Sequence, residues 1–146
     1  MANENVKHGD LIVELKPGYS IFKQVVPPQI GAMGARDLNG ANFSLGWSLL
    51  TQPFVMVTES HQHDFDQVIF FIGGDPNNVV DFDGEVEFGL RGQMNSINYP
   101  ACIYIPKGTL HSPLNIKRVT KPMMFIDITL SPGYSVRPLP KGSERK

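Results

Sequence analysis

The 146-residue sequence contains a single cysteine, Cys102, so no internal disulfide bond can form. Cys102 stands in an apolar run, Ala-Cys-Ile-Tyr-Ile, that is typical of a buried strand, and we expect an unreactive, buried thiol. No stretch approaches the roughly 20 apolar residues that a membrane helix needs, and the first residues lack the apolar segment of a signal peptide. We therefore expect a cytoplasmic protein without a membrane partner.

The sequence also lacks an excess of either charge. It has 13 basic and 14 acidic residues, for a formal net charge of -1. This balance gives no electrostatic reason to expect nucleic acid as a partner. Hydrophobic residues make up 41% of the chain, enough for a core. We expect a single domain over residues 1–146, with an N-terminal arm to about residue 26 and a C-terminal tail from about residue 138.

No window of the sequence has the periodicity of an amphipathic helix. Instead, 14 glycines and 12 prolines separate short runs of β-branched and aromatic residues, a pattern typical of an all-β sandwich or barrel. The small, polar segment 31–42 is predicted to be an irregular loop. Strands are predicted at 11–15, 20–26, 43–50, 54–58, 67–72, 85–90, 94–98, 102–105, 111–116 and 123–130.

Two of these predicted strands are apolar on both faces, at 68–72 and 123–126. An antiparallel strand of this kind is covered on both sides, and one cover is the interior of the barrel. The other cover is either the N-terminal strands or a second subunit. On this ground we predict a homodimer, in which the segment 11–26 could also add to a neighbouring sheet.

Two segments place histidines at the ends of predicted strands. In His61-Gln-His63 the two imidazoles point to the same side of a strand and can bind one metal ion. In the second segment, a Pro-Lys-Gly turn at 106–108 precedes His111 at a strand start. Each segment has a structural alternative, an exposed polar loop for the first and a non-ligand histidine for the second. Together they favour a metal site.

These two segments resemble the two motifs of the cupin family. In the first motif, HxH is followed by three or four residues, a glutamate, six residues and a glycine, and this spacing is met by His61, His63, Gln67 and Gly74. In the second, PxG is followed by two residues, a histidine, three residues and an asparagine, and this spacing is met by Pro106, Gly108, His111 and Asn115. The resemblance implies the all-β cupin fold, a double-stranded β-helix or jelly-roll barrel with little or no helix.

Three positions depart from the cupin motifs. Val55 and Pro100 stand where the motifs begin with glycine, and Gln67 replaces the usual glutamate ligand. The resemblance implies one divalent transition metal, Zn, Ni, Fe, Mn or Co, with the ligands His61, His63, Gln67 and His111. In the alternative, Gln67 does not coordinate and instead hydrogen-bonds a bound water or a histidine.

Gln67 would change the charge of such a site. Its amide offers a neutral carbonyl oxygen, whereas a glutamate would add a negative charge. With three neutral imidazoles, the ion would keep its full +2 charge. We therefore expect a stronger Lewis acid that favours anionic, oxygen-rich ligands in its open positions.

Other side chains are candidates for catalysis or substrate binding. Asp127 would be a general base if its strand face lines the cavity, and a solvent-facing residue otherwise. Tyr104 could direct its phenol at the site or pack in the core. Trp47, Phe54 and Phe65 are predicted to form apolar walls of the cavity, with core or dimer packing as the alternative. Lys107 and Arg36 are predicted anion contacts, and the alternative for Lys107 is plain exposure.

Three functional hypotheses follow. The first is a metal-dependent enzyme acting on a small oxygenated or anionic molecule. Isomerase or lyase chemistry is favoured within it, because a +2 site stabilises an enolate well, and a dioxygenase with redox-active iron is the alternative. The second is a module that binds or senses a small ligand without turnover. The third is a metal-free structural protein, against which the intact histidine set argues. Fold alone cannot choose between them.

Overall fold

The computed structural model of the chain describes residues 11–15, 17, 18 and 20–134. These residues form nine strands and one short helix, which confirms the predicted all-β class. In chain order the elements are β1 (Val25–Met33), α1 (Gly34–Asp37), β2 (Ser44–Leu50), β3 (Phe54–Val57), β4 (Gln67–Gly73), β5 (Gly84–Leu90), β6 (Gln93–Ile97), β7 (Ala101–Ile105), β8 (His111–Val119) and β9 (Met123–Thr129).

The strands pair in two antiparallel sheets. One has the order β1-β2-β9-β4-β7, and the other has the order β3-β8-β5-β6. Neighbours in the sequence, such as β3 and β4, lie in different sheets, so the chain crosses repeatedly between the two layers, as in a jelly roll. The core lies between the layers and includes Leu50, Phe71, Val86, Phe88 and Ile116.

Alternation along the strands decides which side chains enter this interior. In β4 the burial pattern alternates strictly, and Gln67, Ile69 and Phe71 point inward. The outward residues of β5 include the charged Glu85 and Glu87, whereas those of β4 are apolar. The two sheets therefore differ in the chemistry of their outer faces.

The N-terminal part of the prediction is wrong. Segment 11–15 contains no strand, and β1 begins only at Val25 and continues to Met33, through part of the predicted loop, before the helix at Gly34–Asp37. Pro27 and Pro28 interrupt the strand pattern in the sequence, but β2 is the one strand beside β1 in its sheet, so β1 lies at the sheet edge. Along the other side of β1 the described residues form a single bridge, between Gln29 and Gly18, and no ladder. An edge strand tolerates prolines for this reason, and the register with β2 shifts between Val26 and Ile30.

The expectation of a buried thiol is also wrong, because Cys102 is exposed. In β7 the side chains of Ile103 and Ile105 point towards the core, and Cys102 and Tyr104 point outward. The first ten residues and the predicted tail at 138–146 lie outside the described residues, and the single-domain boundaries stay a prediction. No helix in the described part of the chain is long and apolar enough to cross a membrane.

Candidate metal centre and cavity

Three imidazoles come together where the two sheets meet. His61 and His63 lie between β3 and β4, and His111 is the first residue of β8. Reciprocal backbone hydrogen bonds of 2.9 Å join His61 to His111 in an isolated bridge. The ligand atoms of the three rings all lie within 4.8 Å of one another. Histidine nitrogens that bind a common ion each lie about 2.1 Å from it, which places them closer to one another than 4.8 Å. A small movement of the rings would bring the three nitrogens to that spacing. The spacing therefore fits a metal centre.

The tautomers of two histidines are set by backbone carbonyls. Nδ1 of His61 lies 3.0 Å from the carbonyl oxygen of Glu59, and Nδ1 of His111 lies 2.8 Å from that of Thr109. An Nδ1–H that donates to a carbonyl leaves the Nε2 lone pair free to bind a metal. This is the arrangement expected of ligands that are oriented before the ion arrives.

Burial keeps the His111 ring neutral. Its side chain is 2% exposed, and burial is the main cause that lowers its pKa to about 4. The hydrogen bond to Thr109 opposes this shift, and the charges of His61 and His63 add to it. Because a metal binds the neutral imidazole, His111 is in its ligand form throughout the neutral pH range.

His63 is held from two sides. Its ring stacks on Phe65, with ring centroids 4.7 Å apart and planes 10° from parallel. Its Nε2 lies 3.3 Å from the hydroxyl of Tyr134. Binding of an ion through this nitrogen would displace the hydroxyl. Phe65 thus packs against a histidine of the cluster, in line with the packing alternative, and its role as a cavity wall stays a prediction.

Gln67 has a buried, unpaired oxygen and lines the same cavity as two of the histidines. Its side chain is 3% exposed, and Nε2 donates a 2.7 Å hydrogen bond to Oδ1 of Asp127. Among the described residues, Oε1 has no hydrogen-bond partner. An unpaired buried oxygen costs about 1–3 kcal/mol, so a structural role alone explains it poorly. Gln67 lines the same cavity as His61 and His111, and its oxygen fits a metal ligand.

Asp127 faces the cavity, not the solvent. It lies on β9, directly opposite Ile69 of β4, and it is bound to Gln67. Burial raises the pKa of its carboxyl group, while the hydrogen bond from Gln67 and the charge of His61 lower it. The chain thus places a proton-accepting group next to the candidate metal ligands.

The cavity between the sheets has a volume of about 470 Å³, within the range typical of small-molecule sites. Much of its wall is apolar, formed by residues such as Met56, Ile69, Phe88, Leu114 and Phe125. Arg36 of α1 also lines it and is the one Lys or Arg among the described lining residues. Its guanidinium is paired with Asp37 at 2.8 Å.

Four predicted substrate or catalytic contacts lie elsewhere. Trp47 and Tyr104 are 41% and 58% exposed on the outer face of their strands, because their neighbours Ser48 and Ile105 take the inward positions. Lys107 is exposed at a turn, where its backbone N–H donates to Asp66. Phe54 packs on Phe22, with ring centroids 5.9 Å apart, against the core. None of the four is among the residues that line the cavity, and a role for them in catalysis or substrate binding stays a prediction.

Tyr134 was not predicted. It follows β9 in a short loop and lines the cavity beside His63. Burial and the charge of Asp127 raise the pKa of its phenol to about 12, so it stays protonated. No sequence motif marks Tyr134 as a site residue. It lies at the site because the chain that follows β9 passes next to His63.

Comparisons with known proteins support the fold and not a relationship by sequence. The sequence matches no family model and no curated protein. Among solved structures, peruvianin-I, a cysteine peptidase from Thevetia peruviana latex, matches with a TM-score of 0.59 and 11% identity, over 91% of this chain and 79% of that chain. Oxalate oxidase in complex with glycolate matches with a TM-score of 0.58 and 11% identity, over 91% of this chain and 65% of that one.

A mutant of Bacillus subtilis oxalate decarboxylase matches with a TM-score of 0.53 and 15% identity, over 85% of this chain but only 30% of that chain. The chain has a cupin fold. In this cupin fold the three histidines can bind a divalent metal ion. Mn(II) centres are described for Bacillus subtilis oxalate decarboxylase, in a structure 14% identical to this chain with a TM-score of 0.52.

The role of Gln67 can be tested by replacing it with glutamate. The Gln67→Glu variant would add a negative charge next to the ion, and we expect metal affinity to rise at least tenfold, measured by competition with a chromophoric chelator. Gln67→Leu should weaken binding. Thr129→Val is the matched control, because Thr129 Oγ1 is the other buried oxygen without a partner in the described residues. Unchanged affinity in both Gln67 variants would mean that Gln67 does not coordinate.

Proposed function

We propose that this chain is a metal-dependent enzyme that acts on a small oxygenated or anionic molecule in the cavity between its sheets. The observation that carries the proposal is a cluster of three histidines, of which His61 and His111 line the cavity together with Gln67, whose oxygen is unpaired, and Asp127. A divalent ion held by the neutral side chains of the histidines and Gln67 would act as a Lewis acid and polarise an oxygen of the bound substrate. Isomerase or lyase chemistry is the reaction type that we favour.

Asp127 is the proposed proton carrier. Gln67 holds its Oδ1 at 2.7 Å and so orients the carboxyl group towards the cavity. A carboxylate with a raised pKa is a stronger base than an exposed one and so accepts a proton from carbon more readily. The proton to be moved would lie next to the oxygen that the metal centre polarises, as in isomerisation or elimination of an oxygenated acid.

The rest of the cavity suggests the class of substrate. Its apolar walls suit a short carbon skeleton. Arg36 also lines the cavity, and a substrate carboxylate that binds it would have to replace Asp37, which pairs with its guanidinium at 2.8 Å. Two structures with the same fold support an anionic molecule of this size, since one oxalate oxidase binds glycolate and a second protein is named for oxalate decarboxylation. The shared fold does not transfer their substrates, which is why the class alone is proposed.

A ligand-binding role without turnover is the second candidate. The predominantly apolar wall favours it, because apolar contacts hold a ligand without acting on it. A dioxygenase is the third, and it would need a redox-active ion.

The test begins with metal analysis of protein purified without added metal, followed by reloading with Zn, Ni, Fe, Mn or Co. We expect about one ion per chain, and turnover of at least one compound in a panel of sugar acids, diketones and phenolic acids. Product formation without oxygen uptake would support the isomerase or lyase. Oxygen uptake with iron would support the dioxygenase. Saturable binding without product would support the sensing role, and absence of bound metal after supplementation would contradict all three.

A further inference from the structure

Gly46 lies within β2, next to the wall of the cavity that carries Asp127. The strand register places Gly46 directly opposite Asp127 of β9 and directly opposite Gly31 of β1. Directly opposed residues of antiparallel strands share a side of the sheet, and all three of these residues line the cavity. Because Gly46 has no side chain, it leaves a gap in the wall beside the carboxyl group of Asp127.

The other glycines of the described strands are required by their neighbours. A Cβ atom at three of them would lie only 2.5–2.7 Å from a backbone oxygen, namely at Gly73, Gly84 and Gly89. A Cβ atom at Gly31 would lie 3.1 Å from the carbonyl oxygen of Leu45, which is also tight. At these positions, close packing of the backbone explains why the residue is glycine.

Neither packing nor backbone conformation explains Gly46. Among the described residues, a Cβ atom at this position would have one neighbour within 4 Å, Nε2 of Gln29 at 3.6 Å, which is an ordinary van der Waals contact. Its φ is not among the positive ones. A glycine within a strand loses more conformational freedom on folding than any other residue, and such a glycine often marks a place where a ligand approaches the backbone.

The gap at Gly46 has a polar group on each side. Gln29 comes from β1 and Asp127 comes from β9, which are the two strands that flank β2 in the sheet. Both residues line the cavity. An oxygen atom in the gap would come within hydrogen-bond distance of the Gln29 amide after a small shift from the Cβ position. A hydrogen-bond donor and a carboxyl group therefore border the same small space.

The same wall contains two buried oxygens that have no hydrogen-bond partner among the described residues, Oε1 of Gln67 and Oγ1 of Thr129. Gln67 and Thr129 are directly opposed on β4 and β9, and Thr129 follows Asp127 by two residues. They are 3% and 4% exposed, and both line the cavity. Proteins pair nearly all of their buried polar atoms, so unpaired oxygens of this kind indicate a surface that binds a ligand.

We propose that Gly46 is a specificity-determining residue, which admits a hydroxyl-bearing carbon of the substrate into the gap between Asp127 and Gln29. The Gln29 amide donates a hydrogen bond to the hydroxyl oxygen, and Asp127 faces the hydrogen on the same carbon. A carboxylate in the gap would be repelled by the charge of Asp127, and a carbon without a hydroxyl group would forgo the hydrogen bond. The inference deepens the proposed function and rests on it for an oxygenated molecule in the cavity.

Lactate and propionate are matched probes of this subsite, because both are short carboxylates and lactate differs by the hydroxyl group next to the carboxylate. Calorimetry with the Zn²⁺-loaded chain should show that lactate binds at least about tenfold more tightly than propionate. Gln29→Met removes the amide at similar side-chain length. It should weaken lactate binding about five- to tenfold and leave propionate binding nearly unchanged.

Gly46→Ala and Gly46→Val fill the gap in two steps. We expect lactate affinity to fall about tenfold in the first and about 100-fold or more in the second. Without ligand, Gly46→Ala should melt at the same temperature as the wild type or a few degrees higher, because alanine reduces the freedom of the unfolded chain. Gly133→Ala is the matched control, since nothing lies within 4 Å of the added methyl group and Gly133 is not among the cavity residues.

A wild-type chain that binds lactate no better than propionate overturns the inference, and so does a preference that Gln29→Met retains in full. Wild-type lactate affinity in Gly46→Ala, or a lower melting temperature of that variant, also contradicts it. If Gly46→Val does not fold, Gly46→Ala decides. Because these experiments measure binding alone, a lactate preference that depends on Gly46 and Gln29 without turnover of any compound would contradict the proposed enzyme and support the subsite.

Discussion

Replacing His111 with alanine is expected to abolish metal binding. The ring is buried, neutral and oriented by Thr109, and it is one of the three imidazoles of the cluster. Loss of one of three imidazoles should lower metal affinity by more than about 100-fold, since even the groups that only orient such ligands contribute 10–100-fold. Titration calorimetry with Zn²⁺ measures this directly.

The same variant should lose the stabilisation that metal gives. An ion at 100 times its Kd stabilises the folded protein by about 2.7 kcal/mol, which is visible as a rise in Tm. Leu114→Ala is the matched control, because Leu114 is 3% exposed on the same strand and its truncation lowers baseline stability. That control should keep the full metal-induced rise. A His111→Ala protein that still shows the wild-type rise would show that the ion binds elsewhere.

Asp127→Asn should reduce turnover by about 10²- to 10⁴-fold while leaving metal content unchanged. Asparagine keeps an oxygen that can accept the hydrogen bond from Gln67, so the variant removes the proton-accepting charge and little else. The measurement is kcat on the compound that the panel identifies. The pH profile adds a second readout. If Asp127 is the base, wild-type activity rises with pH as the carboxyl group loses its proton, and the variant loses this rise.

Ser48→Ala serves as the control for Asp127, because Ser48 is a buried polar residue of the same cavity without a proposed part in proton transfer. Its turnover should stay within a few-fold of wild type. Equal activity in Asp127→Asn and wild type would rule out the proton-transfer role. Loss of metal together with activity would assign Asp127 to holding Gln67 in place instead.

The sequence was sufficient to predict the histidine cluster, because the two motifs state the spacing of His61, His63 and His111 directly. It was sufficient for the fold class as well, since short β-branched runs between glycines and prolines leave few other solutions. The edge strand β1 was not predicted at its observed position, because Pro27 and Pro28 interrupt the residue pattern by which a strand is recognised. Only pairing with β2 shows that these residues are extended.

Which side of a strand faces the cavity was the harder question. Along β9 and β4 nearly every residue is apolar, so periodicity does not separate inward from outward positions. Asp127 on β9 was ambiguous for this reason, and the apolar run of β7 likewise gave no sign that Cys102 and Tyr104 point outward. The backbone pairing of β9 with β2 and β4 decides which side of the sheet Asp127 faces. Its hydrogen bond with Gln67 joins residues 60 positions apart in the chain, beyond the reach of local patterns.

The carbonyl oxygens of Glu59 and Thr109 have a consequence for how the protein acquires its metal. Because the backbone orients the imidazoles of His61 and His111 in advance, neither ring has to search for its position when an ion enters. A preformed site of neutral nitrogen donors ranks divalent ions in the general order of their affinities, with copper and zinc ahead of iron and manganese. The ion found after purification will therefore depend on this affinity order and on the metal supply of the producing cell, and only deliberate exchange will reveal which ion the chemistry requires.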